Sequence, residues 1–402
     1  MSITRITSVL FTLFVLLAPP TILGAQESTQ VTFGGQVRPR LESRTPIDGS
    51  WNSFTSMRVR AALEARLEGG VRVFIQLQDV RFFGEETNTL SDYRADNFDL
   101  HQGFVEVADV PSLGGTLKVG RQEMAFGEQR LVGSVNWTQQ GRSFDGVRYS
   151  TKAMGELKID VFAMKLRETT SSTQEWESSF AGAYGTLPLG ETGSMDLFGF
   201  LTTDARDENG GEVTLGGLWR GRAGPVDLRL EGSIQSGERN GTGVSAFMAG
   251  ARAGFRVHES VTATLWYDYL SGDENPADDE TGVFNTLFAT NHAFYGLADY
   301  FLNIPVHTGG LGLKDAAVKF AFDLSPKAGL KLDLHNFQSA EEGDLSTQSL
   351  ANEVDFTLTY KLSSSLTLMG GYSYVQAKDG IKELERLSEN AQWAYLMLNA
   401  AF

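Results

Sequence analysis

Apolar and polar side chains alternate with a period of two along most of the chain, in runs of about ten residues broken by turn residues. Across 31–41 (VTFGGQVRPRL), Val31, Phe33, Val37 and Leu41 share one face while Thr32, Gln36, Arg38 and Arg40 share the other. Across 57–68, Met57, Val59, Ala61, Leu63, Ala65 and Leu67 oppose Arg58, Arg60, Glu64, Arg66 and Glu68. A strand sends successive side chains to opposite faces, whereas a helix would scatter these two sets around its axis. Similar segments continue to 391–402 and predict about 18 strands, an even number as in bacterial single-chain barrels.

The connections carry the stronger argument. Tight ones at 68–70, 325–329 and 362–365 alternate with long polar ones at 43–53, 84–96, 123–143, 168–178, 272–310, 338–349 and 378–390. This is the layout of an all-β, transmembrane, antiparallel up-and-down β-barrel with short periplasmic turns and long extracellular loops. A soluble sandwich typically has about seven to nine strands and no reason to lengthen every second loop. Tyr267, Tyr269, Tyr360, Tyr372 and Tyr374 lie on apolar faces near strand ends and suit interfacial aromatic girdles. The last segment, WAYLMLNAAF, ends on Phe402 and resembles the terminal signal by which outer-membrane barrels are recognised for insertion.

The N-terminus reads as a secretory signal peptide: Arg5, an apolar run over 8–20, then small residues, with cleavage expected after Ala25. Residues 26–402 then form one barrel domain. No other stretch reaches the ~18 apolar residues of a spanning helix, so a membrane-crossing chain must cross as a closed sheet. There is no cysteine, so stability comes from hydrogen bonding and packing.

With apolar faces toward lipid, the opposite faces line the lumen. Alternation places Arg38, Arg40, Arg58, Arg60, Arg66, Arg72, Arg148 and Arg252 inward, with acids such as Glu64, Glu68 and Asp160 among them. Salt-bridge ladders between neighbouring strands would account for many of these. On the first three strands the arginines outnumber the acids, and an unpaired cluster there would attract anions. Arginine's planar fork matches carboxylates, which points to a carboxylated sugar polymer or small anionic solutes as cargo. The formal net charge of −16 excludes nucleic acid as a partner and arises from acidic loops. One of these, with Asp273, Glu274, Asp278, Asp279 and Glu280, offers oxygen ligands for Ca²⁺ but lacks the spacing of an EF-hand.

Two regions carry a family resemblance. The stretch 117–149, LKVGRQEMAFGEQRLVGSVNWTQQGRSFDGVRY, includes Gly120, Arg121, Gln122, Gly127, Gln129, Arg130, Trp137, Gly141, Arg142, Phe144, Asp145, Gly146 and Arg148. The second runs from Phe284 to Phe301 and on through Lys314, Asp315, His335 and Phe337, and includes His292, Tyr295, Gly296 and Asp299. Both resemble motifs of the alginate-export family of outer-membrane barrels. The resemblance implies an arginine-lined conduit for a polyuronate, with Arg121, Arg130, Arg142 and Arg148 as lumen or constriction residues near the outer mouth. It also implies contact with outer-membrane lipid and with periplasmic secretion partners.

Nothing in the sequence forms a catalytic constellation: the five histidines accompany no nucleophile elbow, H-E-x-x-H pair or P-loop. The expectation is an outer-membrane channel without a cofactor that passes alginate or a related polyuronate by passive diffusion. The alternatives are a general or small-solute porin and, further off, an outer-membrane enzyme.

Overall fold

The computed structural model describes residues 29–45, 52–85, 98–153, 155–168, 177–205, 207 and 210–402. The signal-peptide segment 1–25 lies outside these residues, as does most of the loop at 84–96. Eighteen long antiparallel strands among the described residues form one closed sheet. They are β1 Gln30–Arg44, β2 Asn52–Arg66, β3 Val71–Phe82, β4 Phe98–Ala108, β5 Thr116–Gln122, β6 Phe144–Ala153, β7 Leu157–Arg167, β8 Ser178–Pro188 and β9 Ser194–Asp204. The second half comprises β10 Glu212–Ala223, β11 Val226–Arg239, β12 Thr242–His258, β13 Val261–Leu270, β14 Leu313–Ser325, β15 Ala328–Gln338, β16 Ser349–Lys361, β17 Leu366–Ala377 and β18 Ala391–Ala401. Each strand pairs with the next, and β18 returns to β1, from Gln36 opposite Ala401 to Arg44 opposite Trp393. Closure leaves no sheet edge, the condition for carrying a polar backbone through lipid.

The alternation of connection lengths holds with one exception. Between β11 and β12 the connection at the long-loop end is the dipeptide Asn240-Gly241, with φ of 53° and 82°. Two positive-φ residues make the tight turn whose twist matches a hairpin, and Asn-Gly is its sequence signature. The seventh connection at the long-loop end, 271–312, is by contrast far the longest between described strands.

The outward face is apolar. Leu197, Leu215, Leu230, Ile234 and Phe247 are all exposed, as are Tyr267, Tyr360 and Tyr372. The inward face is not uniformly polar as alternation alone suggests. On β7 to β9, Phe162, Phe180, Tyr184, Phe198 and Phe200 point inward and are buried, because loops entering the lumen pack on them.

At the β1–β18 seam, Gly35 and Phe402 exchange backbone hydrogen bonds of 2.9 and 3.1 Å. The Phe402 ring covers Gly35 so closely that a Cβ there would lie 2.6 Å from its Cζ and 2.8 Å from the Arg60 carbonyl. Gly35→Val should therefore open the seam and cost about 1–3 kcal/mol. The check is the temperature at which the barrel loses its compact, detergent-resistant form, which should fall relative to wild type.

Candidate functional site

The third connection at the long-loop end, L3 (123–143), turns into the lumen, and the arginines of β1 and β2 hold it there. Arg38 donates to the Asn136 and Thr138 carbonyls, both at 2.7 Å, and to Gln139 Oε1 at 3.0 Å. Arg40 donates to the Trp137 carbonyl at 2.8 Å and lies 4.6 Å from the centre of that indole. Arg58, 2% exposed, reaches the Thr138 and Gln139 carbonyls at 3.2 Å and Gln36 Oε1 at 2.6 Å. Arg60 bonds Gln78 Oε1 at 2.7 Å, Asn136 Oδ1 at 2.9 Å and Glu123 Oε1 at 3.3 Å. A loop away from the sheet has carbonyls with no ladder partner, and a guanidinium brings five donors to them. These four arginines are thus neither an unpaired cluster nor free for solute, which corrects the expectation from composition.

Glu123 opens the loop and gathers His101 Nε2 at 2.6 Å and Asn136 Nδ2 at 3.0 Å as well as Arg60. Burial opposes its charge, but the hydrogen bond from His101 and the nearby Arg60 outweigh it and hold the carboxyl below the usual glutamate range.

Arg130 anchors the middle of L3. It is 2% exposed and makes a fork to the fully buried Asp268 at 2.6 and 3.0 Å, with Glu231 Oε2 at 3.1 Å and the Tyr295 hydroxyl at 2.8 Å. Burial alone would disfavour the guanidinium, yet Asp268, Tyr295 and Glu231 raise its pKa well above the ordinary arginine value. Asp268 lies on β13 and Glu231 on β11, so one L3 side chain ties the loop to two parts of the wall.

Tyr295 belongs to L7 (271–312), which also enters the lumen and joins L3 through the backbone: Phe288 N donates to Leu131 O and Gly133 N to Phe288 O, both at 2.8 Å. Arg142 donates to the Ala289 carbonyl at 3.3 Å, and burial lowers its pKa. Trp137 stacks on His292 with ring centres 4.2 Å apart, and His292 Nδ1 is 2.7 Å from Asp299. Phe126 of L3 lies 4.8 Å from Tyr184 and 5.5 Å from Phe162, which explains the inward aromatic wall. L7 is seated on β16, where Ala298 N donates to Glu353 Oε1 at 2.8 Å and Leu297 N to Asp355 Oδ2 at 3.3 Å. Gly296 has φ of 80°, and a Cβ there would fall 2.4 Å from Glu353.

The remaining candidates divide. Arg66 pairs with Glu64 at 2.7 Å, and Arg72 bridges Glu64 and Glu106, which also takes Lys118, so this is a cross-strand ladder. Arg148 pairs with Asp160 and lies over Phe126. Arg121 bonds Asp145 at 2.7 Å on the outward face beside the exposed Val119, so it leaves the lumen set. Its place at the strand's end puts it near the rim, whereas Arg130 and Arg142 lie within the lumen because L3 turns inward. His335 Nδ1 stands 2.9 Å from both Asp315 oxygens in a buried pair. The acids of 273–280 cap their own loop, with Asp273 accepting from Asn275 N and Asp278 from Glu280 N. No group of three ligating side chains able to hold a metal occurs among the described residues.

Arg252 belongs to a different environment. At the short-turn end a cavity of about 670 Å³ is lined by Arg220, Arg222, Arg229, Arg252 and Lys319 together with Glu191 and Asp227; Arg220 is paired with Asp196 at 2.6 Å and Lys319 with Asp333 at 3.2 Å. Arg252 lies over Trp266 at 3.4 Å and Lys319 over the same ring at 4.2 Å. The two-residue period also places Arg229 and Lys319 on the inward face. Arg220, on the same face as Thr214 and Leu218, was accessible to the same period-two reading.

The Alginate export family model matches residues 29–394. The chain belongs to the alginate-export family. No curated protein matches the chain. The fold is that of several Pseudomonas aeruginosa outer-membrane proteins: OpdO at 15% identity, covering 92% of this chain and 97% of that one with a TM-score of 0.65; OprD at 13%, 92%, 94% and 0.65; and OccK2 (OpdF) in complex with glucuronate at 14%, 92%, 98% and 0.62. This member of the alginate-export family is accordingly an outer-membrane β-barrel channel. Both motif regions of the family resemblance sit where L3 and L7 meet each other and the wall.

Two tests follow for the alginate-export barrel's loop seat. Arg130→Met would strand Asp268 and Glu231, and should lower unfolding stability by about 3–5 kcal/mol and expose L3 to trypsin; unchanged urea midpoint and cleavage would contradict it. Because the Glu123 carboxyl is depressed, its contribution is complete above the ordinary glutamate pKa of about 4.3 and is lost as pH falls through the lower folded value. Hydrogen-exchange protection of amides in 134–142 should stay constant near neutrality and fall below about pH 4, but not in Glu123→Gln.

Proposed function

We propose that the channel passes an anionic polysaccharide, alginate or a related polyuronate, by passive diffusion. The observation that carries this is the cavity at the short-turn end, lined by five cationic side chains, Arg220, Arg222, Arg229, Arg252 and Lys319, which are paired with Asp196, Asp227, Glu128 and Asp333. Its walls are low-dielectric strands, which strengthen the attraction between an entering anion and any of these guanidinium or ammonium donors that it can reach. Arg229, 48% side-chain exposed, keeps part of its donor set available to solvent. Guanidinium groups offer paired donors to a carboxylate, and a polyuronate presents one carboxylate on each sugar.

A second reading, a porin for small acidic sugars, is favoured by the filling of the lumen by L3 and L7. It is also in keeping with the glucuronate complex of OccK2 (OpdF), a barrel of the same fold. Both readings use the same charge and differ in solute length.

In a planar bilayer the channel should be anion-selective, and its current should fall when a uronate trimer is added. Replacing Arg220, Arg229 and Lys319 together by glutamine should reduce the anion preference several-fold. Cation selectivity in wild type would overturn the proposal, and liposome swelling with uronate monomers but not oligomers would favour the small-solute reading.

A further inference from the structure

The basic cavity is closed off in part by the protein's own carboxylate. Glu128, in L3 two residues before the anchor Arg130, has one oxygen on Arg229 Nη1 and the other on Arg252 Nη1. The two arginines come from β11 and β12, where they face each other across the ladder. Arg252 is 7% exposed and has its Cζ 3.4 Å from the centre of the Trp266 ring, yet its Nη2 has no hydrogen-bond partner among the described residues. A buried guanidinium with an unused donor is costly unless a second acceptor joins it, so the fork is only half occupied. The loop does not need Glu128 for its position: Arg130, the Leu131 and Gly133 backbone, and the Asn136–Gln139 carbonyls already fix it.

We propose that Arg229 and Arg252 form a subsite for a carboxylate of the solute, and that Glu128 fills it in the resting channel as a tethered stand-in. The proposal rests on the uronate reading above. A tethered group competes at an effective concentration on the order of millimolar, so a single sugar acid displaces it poorly. An oligomer also reaches Arg220, Arg222 and Lys319, competing there with Asp196, Asp227 and Asp333, gains by multivalency, and evicts Glu128 from the arginine pair. The channel thereby selects chains over monomers.

The test compares wild type with Glu128→Gln and Glu128→Ala in planar bilayers, using D-glucuronate and a uronate trimer as blockers. Folding of each variant is checked by its heat-modifiable gel mobility. Removing the competing charge should lower the half-blocking concentration of D-glucuronate roughly tenfold and that of the trimer less, narrowing the gap between them. If the trimer blocks wild type and both variants keep the wild-type response to D-glucuronate, Glu128 is only a salt bridge and the stand-in role is wrong while the uronate reading stands. If neither solute blocks wild type or variants, the uronate reading fails and the subsite with it.

Discussion

The structure depends on the hydrogen-bond supply for a loop placed inside a barrel. A strand in the wall shares its amides with two neighbours, but the carbonyls of L3 from Asn136 to Gln139 have no backbone donor among the described residues, and each buried carbonyl left unpaired would cost about 1–3 kcal/mol. Arg38, Arg40, Arg58 and Arg60 meet that demand from the wall, with the consecutive carbonyls from Asn136 to Gln140 as acceptors. The aromatic inner faces of β7 to β9 follow from the same constraint, since the Phe126 side of the loop needs an apolar surface to pack on.

Once the loop is seated, charge in the lumen is separated by role. The arginines of the first strands are spent on structure, Arg66 and Arg72 on a ladder, and Arg130 on a buried junction with Asp268 and Glu231. What remains oriented toward open space is the group around Trp266 at the short-turn end. A net negative chain thus contains a cavity lined by cations, each paired with a carboxylate, because many of its acids lie in solvated connections while opposite charges inside are paired.

The two loops also explain why the family motifs are rich in glycine and aromatic residues. Gly120 has φ of 127° and would press a Cβ within 2.3 Å of the Gly103 carbonyl, and Gly296 lies against Glu353. Trp137 and His292, one from each motif, stack on each other. The motifs describe a docking of two loops, so they mark the type of barrel more directly than its solute.

The sequence by itself determined the strands, their number, the membrane and lumen faces of most of them, and the parity of long and short connections. Those properties follow from local rules: a two-residue period, turn residues, and the need for closure in lipid. Only the tertiary structure decided what the inward arginines do. Alternation states which side chains enter the lumen and is silent about which loop returns to meet them, because the L3 groups and the arginines that hold them are 63 to 101 residues apart. For the same reason Arg121, near the rim, turned out to face outward with Asp145, and Glu128, an unremarked loop acid in the sequence, came to sit between Arg229 and Arg252.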